Sequence, residues 1–353
     1  CIRDRERRVA WQGTLADLQV AGVPADALRE PVALSGSASS RSDGAWRLSE
    51  VRIGGSVGEA TVSGQGAGDN GALDLVLDLP RLAVLDASLA GAARASGRVG
   101  LSANGTDVRL DATVTGLARG PLTSRALSLS ASGGLDRSGG SNGSVRIDGD
   151  LAENPVSLDG RFSTTAAGAI DVPTFQGRWA SAVLDVAGFS ISGDRATGHA
   201  RLRVARLEDA SALAGTPLAG TLDADLSADP ASAGQRLTAR IEGSGLRAGT
   251  LAVSTLDLRA VMERPGPDLS VDGSLSLGGL SGVADLSSVK ATAKGSLQDL
   301  AVGVQAGGPG TRAALEATVR KAGEEMTVAL RRLDGTYRAI PVALAAPAKV
   351  VVT

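Results

Sequence analysis

Aromatic residues are nearly missing from this chain: Phe, Tyr and Trp together make 2% of its 353 residues. Compact globular domains draw much of their burial from such rings, so a thick close-packed core is not expected. The one cysteine, Cys1, allows no internal disulfide, and no Cys/His cluster exists to hold zinc. The one histidine, His199, runs in phase with Arg201 and Arg203. It reads as a surface residue on a wet strand face, with no partner that would make it a catalytic base. Net charge is −2 and the charges are interspersed, which leaves no basic, aromatic-laced stripe for nucleic acid. The densest charge run, Arg3-Asp4-Arg5-Glu6-Arg7-Arg8, reads as a solvated terminus or linker. No apolar run reaches the roughly 18 to 20 residues that would span a bilayer, and no signal peptide is visible. The chain opens at Cys1, read as a fragment boundary and not as a lipidated cysteine. It closes at Val350-Val351-Val352-Thr353, inside an expected strand. It is therefore expected to be an excerpt of a longer protein.

What is present is alternation. Ala72 to Leu79 reads A-L-D-L-V-L-D-L, Val108 to Val114 reads V-R-L-D-A-T-V, and Ala200 to Val204 reads A-R-L-R-V. Period-two patterning marks strands with one apolar and one wet face. The hydrophobic fraction of 43% is too high for disorder. Strands are expected at 72–79, 108–115, 125–131, 198–205, 220–227, 236–242, 251–260, 268–277, 312–320 and 325–332. Hairpin turns are expected at Asn104-Gly105, Asp148-Gly149, Asp159-Gly160, Asp272-Gly273 and Asp334-Gly335, pairs that accept positive φ. Sequential hairpins give a mostly antiparallel sheet. About 25 to 30 strands of six to eight residues are expected, and an open sheet of that many must curl.

Two segments carry a helical period instead. Arg81 to Ala90 ends at Gly91, and Arg206 to Ala214 ends at Gly215. A weaker third copy starts near Val283, ahead of Lys294-Gly295-Ser296-Leu297. These suggest helix-punctuated repeat blocks, 1–91, 92–215 and 216–353. The Gly/Ser-rich stretch 132–143 reads as a loop. Gly66-Ala67-Gly68-Asp69-Asn70-Gly71 faintly matches a calcium-binding nonapeptide but, as a single degenerate copy, reads as a hairpin turn. The expected fold is all-β: an elongated, curled, mostly antiparallel sheet with a taco-like groove, punctuated by short helices.

Catalytic signatures are absent. No Gly-x-Ser-x-Gly elbow precedes a helix, and no aromatic platforms exist for sugar stacking. An enzyme is not expected, and no cofactor or metal is assigned.

The pattern resembles the AsmA-like superfamily and, within it, the TamB-type translocation and assembly module subunits of Gram-negative bacteria. The resemblance rests on the punctuating blocks. One is Leu79-Pro80-Arg81-Leu82-Ala83-Val84-Leu85, leading to Gly91 and Ala95-Ser96-Gly97-Arg98-Val99. The other is Leu213-Ala214-Gly215-Thr216-Pro217-Leu218-Ala219-Gly220-Thr221-Leu222. The tail Leu330-Arg331-Arg332-Leu333-Asp334-Gly335-Thr336-Tyr337, followed by Leu344-Ala345-Ala346-Pro347-Ala348-Lys349-Val350, is similar too. The resemblance implies a periplasmic protein held in the inner membrane by a segment not in this chain. It also implies an outer-membrane, BamA-type barrel partner, met through a region outside the fragment. The implied roles are phospholipid transport between the membranes and assembly of outer-membrane proteins.

The first expectation is a lipid conduit in which acyl chains lie on the apolar face, worth roughly 25 cal/mol per Å² buried. Scarce aromatics fit a smooth aliphatic wall. Candidate lining residues are Leu73, Leu75, Leu77, Leu79, Val108, Leu110, Val114, Leu127, Leu129, Leu202, Val204, Leu222, Leu226, Leu237, Ile241, Leu275, Leu277, Leu315, Val319 and Val328. Plain packing of these residues on one another is the bland alternative. A scaffold or chaperone for translocation and assembly of outer-membrane proteins, autotransporters included, is the second functional reading, through an exposed sheet edge. A secreted β-solenoid adhesin is a lesser one, and a β-helix lyase the least favoured.

Overall fold

The computed structural model describes residues 6–15, 31–193, 195–231, 234–263, 269–283, 286–296, 298–322, 325–338 and 340–352. Strand accounts for 78% of the chain, so the fold is all-β: among the described residues, an antiparallel sheet of 23 strands that is not closed into a barrel. The chain divides into two units, Cys1–Ile170 with Gly177–Ala180, and Asp171–Gln176 with Ser181–Thr353.

The first unit is built from β1 (Arg7–Leu15), β2 (Val32–Ser40), β3 (Ala45–Gly54), β4 (Glu59–Ala67), β5 (Asn70–Leu79), β6 (Ala90–Ser102), β7 (Gly105–Arg119), β8 (Leu122–Asp136), β9 (Ser141–Leu151) and β10 (Asn154–Thr164). Each pairs antiparallel with the next. Strand β11 (Ile170–Trp179) is shared out between the units. The second unit holds β12 (Ala182–Ser192), β13 (Arg195–Val204), β14 (Leu218–Ala231), β15 (Gly234–Ala248), β16 (Leu251–Glu263), β17 (Ser270–Gly278), β18 (Ser288–Ser296), β19 (Asp299–Gly308), β20 (Thr311–Ala322), β21 (Glu325–Tyr337), β22 (Ile340–Ala343) and β23 (Ala348–Val352). From β12 to β22 each strand again pairs antiparallel with its successor, and β23 pairs with β21.

The expected strand spans coincide with β5, β7, β8, β13, β14, β15, β16, β17, β20 and β21, each of which runs past its span at one or both ends. Asp268, the first residue of the span 268–277, lies outside the described residues. The strands are longer than expected, reaching 15 residues in β7, β8 and β15, and among the described residues they number 23.

The turn chemistry corrects the sequence reading. Asn104-Gly105 does sit at the β6–β7 hairpin, but Asp148-Gly149, Asp159-Gly160, Asp272-Gly273 and Asp334-Gly335 lie inside β9, β10, β17 and β21. In a strand an Asp-Gly pair simply obeys the alternation. The acid faces water, where Asp148 and Asp159 both pair with Arg146, and the glycine faces the apolar side. At Gly149 no Cβ fits, because it would run into the Ala126 carbonyl of β8. The turn before β10 uses no glycine at all: Ala152 (φ 50) and Glu153 (φ 64) both take positive φ, with the Asn154 side-chain Nδ2 donating to the Ala152 carbonyl at 2.9 Å. The stretch 132–143 is not a loop either, since only its middle turns and its ends belong to β8 and β9. Ser132 and Ser144 share a hydroxyl hydrogen bond of 2.9 Å across that pair. Gly68 and Asp69 form the β4–β5 hairpin turn, as expected.

The helical segments are shorter than their periodicity predicts. Leu82–Val84 is one 3-10 turn, not a helix to Ala90. Asp86 ends it: its side chain accepts from the Ser88 amide at 2.8 Å, a local turn that competes with helix continuation. The second segment is a 3-10 turn, Leu207–Ala210, running into one α turn, Ser211–Ala214, capped by Gly215 at φ 65. Near Val283 the described residues form a turn and no helix, while Ala284, Asp285 and Leu297 lie outside the described residues.

A finer internal likeness appears in the backbone. Gly91 (φ 111) and Gly220 (φ 105) sit at bulges early in β6 and β14. Opposite them stand Gly116 (φ 61) and Gly245 (φ 59), and the next hairpins turn at Gly120 (φ 57) and Gly249 (φ 58). Gly220, and not Gly215, is thus the counterpart of Gly91. Both bulge glycines are required by close approach, because a Cβ at either would sit 2.6 Å from a carbonyl of the facing strand.

Candidate functional site

Directly opposed residues in an antiparallel pair share a face, so the register sorts every side chain. In the first unit Leu73, Leu75, Leu77 and Leu79 of β5 face Val99, Gly97, Ala95 and Ala93 of β6. These in turn face Val108, Leu110, Ala112 and Val114 of β7, then Leu127 and Leu129 of β8. All nine candidates of this unit stand on one face. In the second unit the same holds for Leu202 and Val204 (β13), Leu222 and Leu226 (β14), Leu237 and Ile241 (β15), Leu275 and Leu277 (β17), Leu315 and Val319 (β20) and Val328 (β21). Opposed pairs such as Leu256–Leu277 and Leu258–Leu275 are each worth about 0.2–1 kcal/mol to the sheet.

Sequence reasoning missed further members of these faces: Ile147 and Val145 on β9, Val156 and Leu158 on β10, and Val302 and Val304 on β19. The same period-two signal covers them: V-R-I-D at 145–148 and V-S-L-D at 156–159 alternate cleanly, and only at Val302-Gly303-Val304 does a glycine take the polar position. It also missed an exception. Val76 lies between Asp74 and Asp78 on the wet face, 53% exposed.

The wall is not purely aliphatic, although the chain's aromatics are scarce. Trp11, Trp46 and Phe162 lie on the apolar face of the first unit, each over glycine. The Trp46 ring covers Gly66 and Gly71, Trp11 covers Gly36, and Phe162 covers Gly143, with ring carbons 2.5 to 2.9 Å from where a Cβ would be. The glycines are the space that the rings occupy.

These faces are half covered. Among the described residues the buried apolar side chains are Val32, Leu82, Ala228 and Ala317, and no large side chain is fully enclosed. Leu75, Val108 and Leu226 remain 39%, 43% and 47% exposed. Neither a helical layer nor a second sheet covers the apolar side among the described residues.

The opposite face is a lattice of cross-strand ion pairs. Arg94 meets Asp78 at 3.1 Å, Arg98 meets Asp74 at 3.4 Å, Arg201 meets Asp223 at 3.2 Å and Lys294 meets Asp272 at 3.2 Å. His199 is on this face, as expected, but it does have an acid partner: Asp225 Oδ1 lies 2.9 Å from its Nε2. Sequence spacing could not place Asp225, on the neighbouring strand, beside it. Hydrogen bonds hold certain carboxyls below the usual range. For Asp150 the first cause is the Arg125 amide, which donates at 3.0 Å; for Asp136 it is the Ser138 hydroxyl. Four recesses, of about 750, 700, 540 and 520 Å³, are lined mainly by side chains of this wet face.

No helix among the described residues is long and apolar enough to cross a membrane, and no group of three or more His, Cys, Asp or Glu side chains among them could hold a metal. Comparison with known proteins finds no matching family model, no matching curated protein and no matching solved structure.

Proposed function

We propose that the apolar faces are non-enzymatic carriers of phospholipid acyl chains, part of a bridge across the periplasm between inner and outer membrane that supports outer-membrane biogenesis. The observation that carries this reading is the half-exposed apolar face, many strands long in each unit and, among the described residues, uncovered by another layer. Water contact on so much aliphatic surface is costly at roughly 25 cal/mol per Å², and an acyl chain removes that cost without needing a shaped pocket. The charged face keeps the same strands soluble and fixes which side is apolar. Anchorage in the inner membrane and a BamA-type barrel partner belong to the same proposal, through the resemblance to TamB-type subunits.

The test is extraction of the purified chain with organic solvent and mass spectrometry of the extract. Co-purified phospholipid is expected, displaced by added detergent. A lipid-free protein that also takes up no labelled phospholipid from vesicles would overturn the proposal.

A further inference from the structure

On the wet face of the first unit, one cross-strand row runs from β5 to β10 through Asp74, Arg98, Arg109, Ser132, Ser144 and Arg161, each directly opposite the next. Two features of this row are unusual. Arg98 and Arg109 oppose each other, a like-charge pairing that costs stability. Arg240 and Arg259 of β15 and β16 oppose each other too, but Glu242 and Asp257 hold them. Here Asp74 pairs with Arg98 alone, while Arg109 and Arg161 have no ion-pair partner among the described residues.

The second feature is a recess of about 750 Å³ over this row, lined by Arg98, Arg109 and Arg161 with Ser132, Ser144 and Asn142. Its depth comes from the adjacent row, where Gly100, Asp107, Gly134 and Asn142 stand opposite one another. Two of those positions carry no side chain, and a Cβ on Gly134 would sit 3.2 Å from the Asp107 carboxylate. Three guanidinium groups thus border the recess against the single carboxylate of Asp107. Guanidinium groups present forked donors that match the oxygens of a phosphate, and the serine and asparagine groups add neutral donors.

We propose that this recess binds a phosphate-type oxyanion. Such a ligand relieves the Arg98–Arg109 repulsion and supplies the counter-charge that Arg109 and Arg161 lack. The chemistry is shared by a lipid headgroup and by free phosphate. Lying on the face opposite the apolar wall, the site does not rest on the acyl-carrier reading.

The test is calorimetric titration of the full chain with inorganic phosphate at low ionic strength, since exposed charges are screened by salt. Two variants, the double R109Q/R161Q and the recess-filling Gly134→Val, are each expected to weaken binding about ten-fold. Arg320→Gln in the second unit, which removes a guanidinium paired with Asp299, is expected to change nothing. Circular dichroism identifies any variant that fails to fold. Absence of phosphate binding, or an equal loss with Arg320→Gln, overturns the proposal. A second arm uses phosphatidylglycerol vesicles. Vesicle binding that R109Q/R161Q abolishes and phosphate competes identifies a headgroup as the ligand, whereas vesicle binding indifferent to the variant identifies the free anion.

Discussion

The two faces of β7 carry opposite chemistry on one backbone. On one side stand Val108, Leu110, Ala112 and Val114; on the other Asp107, Arg109, Asp111 and Thr113. The backbone between them is the same, so the difference isolates what side chains contribute. The apolar side gains from burial that is only half achieved, leaving surface for something else to cover. The polar side gains little from any one ion pair, since exposed pairs are worth about 0–1 kcal/mol. Its contribution is to make flipping the strand costly, because a one-residue slip would send every charge to the apolar side.

The largest break in this comparison is a charge moved to the wrong face. Leu110→Asp is expected to destabilise the first unit by about 3 kcal/mol, while Thr113→Asp, on the same strand but facing water, stays within about 0.5 kcal/mol. Urea unfolding followed by tryptophan fluorescence measures both. Equal effects would mean that the faces are not distinct.

Smaller is the effect of adding volume. Gly143→Val puts side-chain atoms where the Phe162 ring lies, 2.7 Å from the Cβ position, and is expected to cost about 1–3 kcal/mol by displacing the ring. Gly134→Val, on the wet face next door, is expected to leave the unfolding midpoint nearly unchanged. The difference between the two midpoints is the measurement.

The smallest expected effect is a pH dependence confined to the wet side. Asp150 accepts hydrogen bonds from the Arg125 and Ala126 amides at 3.0 and 3.2 Å, which hold its carboxyl below the usual range. Its folded pKa lies below its unfolded value of about 4. The stabilisation is therefore complete above that value and is lost as pH falls through the lower folded one. Asp150→Asn is expected to be less stable than the parent at neutral pH and to converge with it in acid, read from thermal midpoints across pH.

How much of this could be read in advance follows from the range of each signal. Alternation is local, so V-R-L-D-A-T-V placed Val108, Leu110 and Val114 on one face with no knowledge of the neighbours. The length of a strand is not local: β8 continues through Ser132 and Gly133 because β7 and β9 pair with it there. The sequence reading ended that strand at a Gly/Ser-rich stretch. The 3-10 turn at Leu82 is short for a related reason, since the Asp86 side chain captures an amide that the leucine spacing alone would give to a helix.

By itself the sequence determined the class of fold and the partition of apolar from charged side chains, because a period of two is a property of consecutive residues. Tertiary structure alone decided the register. It made Asp-Gly pairs into mid-strand positions instead of turns, laid Trp46 and Phe162 over glycines of neighbouring strands, brought Asp225 to His199 and set Arg98 against Arg109. Each of these joins residues from different strands, and the pairing of strands, which no single strand's pattern specifies, settles which side chains meet.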